Sequence, residues 1–404
     1  MKVFQISIEV NSGSVGRIAE QIGLKVLESD GESYITYARS NQPSQSQVIK
    51  IGNLYDVYYH VLSTRLFDNH CLASTKPTKE LVRKMKAIDP DIIVIHHIHG
   101  YYLNMEVLFA YLSRLSIPII WVFHDCWSFT GHCTHFEEIG CEKWKKECYE
   151  CPLKTEYPAS YLLDRSKRNF NLKKKLFNSV SNLTIVSVSQ WMDNLVRQSF
   201  LSNQKMEVIK NGIDLNIFKP KNNTQIIKRQ LSIENKFVIL GVAAVWTKSK
   251  GLNDFLKLFN LIDEGIIIVL VGLSQDQVQN LPKGIIGIQK TENVEHLVDL
   301  YSLSDLYLNL TYNDTFPLTN LEALACGTPV LTYKTGGSVE AVSKETGFII
   351  DQGDLNAVVE VVKKVREKGK EYYAENCRNR AISNFDKDDR YNDYIQLFKK
   401  LLKQ

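Results

Sequence analysis

Apolar residues along the chain fall into short runs separated by longer stretches with helical spacing. In the first half the runs are Val3–Ile8, Ser33–Ala38, Ile92–Ile95, Ile117–Phe123 and Leu183–Val188. In the second half they are Phe237–Ala243, Ile266–Gly272, Ile285–Gln289, Leu306–Leu310, Pro329–Tyr333 and Gly347–Ile350. Many are apolar throughout, as strands buried on both faces of a parallel sheet should be. Strand and helix signals alternate from end to end, which predicts an α/β protein of two doubly wound, Rossmann-like domains. A last stretch, Phe385 to Leu402, spaces Tyr391, Tyr394, Leu397 and Leu401 as one helical face.

Length fits two cores better than one, since 404 residues exceed an ordinary single domain. The boundary is expected near residues 200–236. There Asn211-Gly212 marks a tight turn and Lys219-Pro220-Lys221-Asn222-Asn223-Thr224 reads as a linker, although a surface loop would look the same. The formal charge of +4 gives no case for nucleic acid as a partner. The N-terminus alternates polar and apolar residues and lacks the ~7–15-residue apolar stretch of a signal peptide. No run approaches the ~20 apolar residues that cross a bilayer. These features point to a soluble, cytoplasmic protein, and eight cysteines in a chain this long do not form a secreted disulfide framework.

The most informative segment runs from Tyr312 through Asn313-Asp314-Thr315-Phe316-Pro317-Leu318-Thr319-Asn320-Leu321-Glu322 to Ala323-Leu324-Ala325-Cys326-Gly327-Thr328-Pro329-Val330. It leads from one strand through a loop and a short helix to the next strand. Ligands of open parallel sheets bind beyond the strands' carboxyl ends, where this loop lies. Amides opening a helix there, near Leu318, Thr319 and Asn320, would suit a phosphate. Asp314 and Glu322 would suit hydroxyls close to it, as in a nucleotide sugar. Thr319-x-x-Glu322 is also a capping box, which would make Glu322 structural. The residues alone leave both readings open.

The segment resembles the E-x7-E motif and the following A-C-G-T-P-V of family 4 glycosyltransferases, which have the GT-B fold and retain anomeric configuration. The likeness extends to Gly336-Gly337-Ser338-Val339-Glu340, to Gly241–Gly251 and to Asn211-Gly212-Ile213-Asp214. One departure is Asp314, a methylene shorter than the family's first Glu. The resemblance implies two Rossmann-like domains facing a central cleft. Residues 1–205 would bind the acceptor, residues 206–383 the donor, and a helix over 384–404 would pack back on the first domain. Lys250, with Lys248 as the nearest stand-in for the family's Arg, would hold the donor diphosphate without a catalytic metal. Glu322 would bind ribose hydroxyls and Asp314 the donor sugar. Gly13 and Gly16, in the Asn11–Arg17 turn after the first strand, would lie near the donor phosphates.

Two strand ends carry histidines, His96-His97-Ile98-His99 and His124-Asp125. Such clusters suggest metal at first sight, yet both follow apolar strands and so sit at the carboxyl edge. By resemblance to polysaccharide-assembly enzymes, His124 serves the reacting region, and His97, His99 and Asp125 the sugar or acceptor. A structural hydrogen-bonding role is the plainer alternative. Cys133-x7-Cys141-x6-Cys148-x2-Cys151 fits a structural zinc site, with His132 and His135 as spare ligands, and reduced thiols or a disulfide as alternatives.

Lys143 to Lys175 is basic, including Arg165-Ser166-Lys167-Arg168 and Lys173-Lys174-Lys175 interleaved with Tyr161, Leu162, Leu163, Phe170 and Leu172. It reads as an exposed helical face, or as a peripheral contact with anionic membrane on the inner face. The expected partners are a UDP- or GDP-sugar and a saccharide or lipid-linked saccharide acceptor in cell-surface polysaccharide synthesis. A nucleotide-sugar epimerase, a phosphorylase of the same fold and a non-catalytic nucleotide-sugar-binding protein are the alternatives.

Overall fold

All eleven apolar runs are strands in the computed structural model, which describes residues 1–221 and 224–403. Asn222 and Asn223 of the expected linker lie outside the described residues. The chain divides into two compact units, residues 1–210 with 390–404, and residues 211–389. The first holds β1 (Lys2–Ile6), β2 (Glu9–Val10), β3 (Glu32–Tyr37), β4 (Ser40–Asn41), β5 (Gln47–Lys50), β6 (Ile92–Ile95), β7 (Ile119–Phe123), β8 (Leu183–Ser187) and β9 (Lys205–Val208). The second holds β10 (Phe237–Val242), β11 (Ile266–Val271), β12 (Ile285–Ile288), β13 (Leu306–Asn309), β14 (Val330–Tyr333) and β15 (Gly347–Ile350).

Seven strands of the first unit form one sheet in the order β5-β3-β1-β6-β7-β8-β9. The second sheet runs β12-β11-β10-β13-β14-β15, and every pairing in both is parallel. Parallel neighbours require a crossover, and helices supply it on both faces. This buries the central strands outright: each residue of Ile92–Ile95 and Ile119–Phe123 is 1% exposed or less. The edge strands β5 and β9 are mostly exposed or half-buried, and both lack the continuous apolar run of the centre.

Strand direction fixes which loops can carry chemistry. Asp91, of the Asp89-Pro90-Asp91 sequence, accepts a hydrogen bond at 2.7 Å from the Lys2 amide, where β1 begins. That acidic pair sits at the amino edge, away from the loops that leave the carboxyl ends. The closing helix, Lys387–Leu402, buries Tyr391, Tyr394 and Leu397, and its residues from Arg390 onward belong to the first unit.

The basic stretch departs from expectation at one residue. Lys173, on the helix Ser166–Phe177, is fully buried rather than part of an exposed face. Its Nζ donates to the carbonyls of Trp127 at 2.7 Å and Thr130 at 3.1 Å and lies 3.3 Å from the centre of the Trp127 ring. Burial lowers its pKa to about 7. Composition reads a lysine as surface, but helical phase turns this one inward.

Where β10 and β11 end, Gly272 adopts φ +96°, and a Cβ there would lie 1.7 Å from the Ala243 carbonyl oxygen. Gly272→Ala should therefore destabilise the second unit by about 2 kcal/mol or more. Equilibrium denaturation measures this, and a wild-type midpoint would show that the strand ends can part without cost.

Candidate active site

Two loops of the second unit are locked together by backbone contacts. The Tyr312 amide donates to the Ser249 carbonyl at 2.8 Å, and the Thr311 hydroxyl reaches the same oxygen at 3.2 Å. Gly251 turns the chain with φ +79°, and a Cβ there would meet the Leu310 carbonyl oxygen at 2.1 Å, so only glycine fits. The result sets Lys250 against Asp314: Nζ lies 2.8 Å from Oδ2, with side chains 36% and 20% exposed. Lys248, at the start of the same single turn, is exposed and not part of that pair.

The helix that follows spans Leu318–Ala325 and begins after Pro317, with no side chain capping it. The capping box read from Thr319 and Glu322 is therefore not formed. Thr319 lies inside the helix as its second residue rather than ahead of it. Leu318 and Thr319 occupy the open first turn, which carries the positive end of the helix dipole. Asn320 is held behind them, with Oδ1 accepting from Asn309 at 2.8 Å and Nδ2 donating to the Ser338 carbonyl at 3.3 Å. Glu322 is 8% exposed, and the Tyr301 hydroxyl donates to its Oε2 at 2.7 Å. Two buried polar atoms nearby in sequence, Asn313 Oδ1 and Ser338 Oγ, have no hydrogen-bond partner among the described residues.

In the first unit the histidines form two linked groups. Gln5 donates through Nε2 to the Ala19 carbonyl at 2.8 Å, which leaves its Oε1 as acceptor for His96 Nε2 at 3.0 Å. Neutral His96 then has its lone pair on Nδ1, 3.1 Å from His124 Nε2. The network assigns the proton of His124 to Nε2 and makes Nδ1 the acceptor nitrogen of that ring. Burial keeps His96 neutral, with a pKa near 3, and lowers His124 well below its ordinary value.

Asp125 anchors the second group. His99 Nε2 approaches its Oδ2 at 2.9 Å, the Trp127 amide donates to its Oδ1 at 2.9 Å, and Tyr157 sits 3.2 Å from His99 Nδ1. His97 Nε2 lies 3.2 Å from the same Oδ2 but is not aligned as a hydrogen bond. Burial alone would raise the Asp125 carboxyl; His99 and His97 outweigh it and hold the pKa well below the usual range. The ligand atoms of His97, His99 and Asp125 are within 4.8 Å of one another, close enough to share a cation. Gln5 and Tyr157 were invisible in the sequence, because neither carries a motif.

Gly13 and Gly16 open the helix Gly13–Glu28, whose N-cap Ser12 makes no side-chain cap bond. A Cβ on Gly13, at φ +62°, would fall 2.7 Å from Glu9 Oε2. This second open helix start follows the two-residue strand β2, which comes just after β1, the strand that carries Gln5.

Residues 207–388 match the family described as glycosyl transferases group 1, and residues 27–217 match glycosyltransferase family 4. The chain is 22% identical over 390 residues to a colanic acid biosynthesis glycosyl transferase of Escherichia coli, covering 90% of each. It is 25% identical over 286 residues to the N,N'-diacetylbacillosaminyl-diphospho-undecaprenol alpha-1,3-N-acetylgalactosaminyltransferase of Campylobacter jejuni, covering 66% of this chain and 74% of that one. Among solved structures, sucrose-phosphate synthase of Thermosynechococcus elongatus superposes with a TM-score of 0.71 at 14% identity, over 99% of this chain and 98% of that one. HepE of Anabaena, in complex with UDP and glucose, gives 0.70 at 16% identity over 99% of each. Two doubly wound parallel units of this form are the GT-B fold. The chain belongs to glycosyltransferase family 4 and is a glycosyltransferase.

The neutral histidines make stability depend on pH. His60 and His96 have pKa values pushed down by burial to about 3. Below about pH 6.5 the unfolded chain protonates them and the folded one does not, so stability falls as pH falls. Each contributes up to ~1.4 kcal/mol per pH unit in that window. Urea midpoints should drop from pH 7 to pH 5, and His60→Gln should flatten the slope; a midpoint constant over that range would contradict the assignment.

Proposed function

We propose that the enzyme transfers a sugar from a UDP- or GDP-sugar, with retention of configuration, to a saccharide or lipid-linked saccharide in cell-surface polysaccharide synthesis. The observation that carries this reading is the Lys250–Asp314 pair beside the uncapped start of Leu318–Ala325. A half-exposed ion pair is worth only ~0–1 kcal/mol. A diphosphate can displace it, taking Lys250 and the amides of Leu318 and Thr319, while Asp314 turns to a sugar hydroxyl; the Asn320 amide, expected to join them, is already given to the Pro317 carbonyl at 3.3 Å. Tyr301 holds Glu322 in one orientation, as ribose recognition needs. The names of the relatives support polysaccharide and lipid-linked acceptors.

In the transfer, the acceptor oxygen bonds to the anomeric carbon as the bond from that carbon to the leaving phosphate breaks. Both events occur on one face, and the acceptor proton passes to the leaving phosphate oxygen. Lys250 and the helix-start amides stabilise the charge that develops there. His124, with Nδ1 as acceptor, orients a hydroxyl of the reacting sugar, and His97, His99 and Asp125 bind the sugar or acceptor. Gly13 and Gly16 let backbone approach the phosphates closely.

Lys250→Ala should lower turnover ~100-fold or more, as removing a transition-state charge stabiliser does. Glu322→Gln should lower donor affinity or turnover at least ~10-fold. Nucleotide release with each sugar donor, in saturating chelator, measures both. Turnover that chelator stops and magnesium restores, in protein that stays folded, would replace Lys250 with a metal.

Among the described residues no helix is long and apolar enough to cross a membrane. The surface that suits peripheral contact is the helix Leu54–Phe67, where Leu54, Tyr55, Tyr58, Tyr59 and Leu62 are 56–84% exposed. Tyr161 and Leu162 adjoin it through the Tyr161 amide, which donates to the Arg65 carbonyl at 2.7 Å. We read this aromatic face as resting on the cytoplasmic side of an anionic membrane, where amphipathic rings favour the headgroup region. The protein should float with phosphatidylglycerol vesicles and lose most binding in Tyr58→Ser/Tyr59→Ser; undiminished flotation of that variant would move the contact elsewhere.

A further inference from the structure

The sulfurs of the cysteine motif stand apart. Cys133, Cys141, Cys148 and Cys151 line one cavity with His132 and Lys143. Among the described residues, however, no three of those sulfurs lie within 4.8 Å of one another, so the lining does not fit the closed zinc site that the spacing suggested. The group outside the motifs that bears on the transfer is a carboxylate, Asp254.

Asp254 lies in the first turn of the helix Leu252–Phe259, directly after the Lys250-Gly251 turn. Its amide donates to the Gly251 carbonyl at 2.9 Å. The side chain turns inward, leaving the residue 6% exposed. No basic side chain pairs with it among the described residues. Two phenols donate to the same oxygen instead, Tyr312 to Oδ2 at 2.7 Å and Tyr333 at 2.8 Å. The two rings meet edge to face, with centres 5.5 Å apart.

A buried carboxylate without a cation is costly, and apolar side chains could fill the same space. What the carboxylate supplies is direction, since a charged acceptor fixes the tilt of a ring that donates to it. Tyr333 ends β14 and is fully buried, so the core already holds it. Tyr312 is half-buried and stands on the loop two residues before Asp314. Its amide is bonded to Ser249, and its carbonyl accepts from Gln352 Nε2 at 3.3 Å. Gln352 Nε2 also donates to Thr335 Oγ1 at 2.7 Å, and Thr335 in turn donates to the Thr311 carbonyl at 2.8 Å. The main chain of Tyr312 is thus tied to the lysine turn at Ser249, and its side chain to the helix that follows that turn. A diphosphate that opens the Lys250–Asp314 pair leaves the Asp254–Tyr312 bond in place, because neither partner is a cation or an open amide.

We infer that Asp254 is a positioning residue for donor binding: through the Tyr312 hydroxyl it holds the Asp314 loop against the Lys250 turn after the donor has opened the Lys250–Asp314 pair. The inference rests on the reading of Lys250 as the diphosphate ligand. Asp254 acts through its neighbours, keeping the Lys250 ammonium and the Asp314 carboxylate at the spacing that a diphosphate and its sugar require. Tyr333 anchors it to the sheet.

Calorimetric titration of variants with UDP and GDP, in saturating chelator, tests this. Lys250→Ala should weaken the tighter-binding diphosphate ~10-fold or more. Tyr312→Phe removes one hydroxyl and keeps the ring; it should stay folded, with a cooperative melt, and weaken the same diphosphate ~10-fold. Combined, the two should weaken it no further than Lys250→Ala alone, because the hydroxyl acts through the lysine. Tyr333→Phe should melt lower and keep the wild-type affinity, since β14 does not carry Asp314. Wild-type affinity in Tyr312→Phe beside a weakened Lys250→Ala would overturn the inference and leave the donor reading standing. A full further loss in the double variant, or an equal loss in Tyr333→Phe, would also overturn it, by making Asp254 structural only. Undiminished binding in Lys250→Ala would overturn the donor reading and the inference with it.

Discussion

A parallel strand can be followed by another only after the chain has crossed back over the sheet. That constraint organises both units. It buries the central strands on two faces, which is why they are apolar at every position. It also sends every strand-to-helix loop out at one edge, so residues with chemistry collect there from segments far apart in sequence. Lys250 and Asp314 follow β10 and β13, which are neighbours in the sheet although 64 residues separate the two side chains. His96 and His124 follow β6 and β7, and Gln5 lies in β1, again adjacent strands.

The two edges solve different electrostatic problems. In the second unit the site is polar and half open: one ion pair, an uncapped helix start, and a carboxylate steadied by a tyrosine hydroxyl. Such a site is prepared for a ligand that brings its own negative charge. In the first unit the site is dry. Burial keeps His96 and His124 neutral, and a chain of hydrogen bonds from the Ala19 carbonyl through Gln5 fixes which nitrogen of each ring bears the proton. A neutral histidine with an assigned acceptor suits the orientation of hydroxyl groups better than the binding of phosphate.

How much of this was legible in the sequence depends on what the signal rests on. The buried strands were legible because a short, unbroken apolar run between polar turns suits a strand covered on both faces and little else. Strands β5 and β9 were missed because none of their residues is buried, which leaves no continuous apolar run to read. Motif spacing gave the residue types of the donor site but not their partners. Glu322 looked able to cap its helix, and only the position of Pro317 shows that the helix begins too early for that. Lys173 looked like surface because its neighbours Lys174 and Lys175 are; its phase on the helix decides otherwise. Gln5, Tyr157 and Tyr301 carry no signature, since each matters only through the group it bonds.

The proposed transfer requires the second unit to grip the donor by its diphosphate, through Lys250 and open amides. Calorimetric titration with UDP and GDP, each beside its nucleoside and in saturating chelator, tests this directly. Two or three charge-assisted hydrogen bonds predict that one diphosphate binds at least ~100-fold more tightly than its nucleoside. Equal affinity for nucleoside and diphosphate, or binding that requires added magnesium, would contradict it.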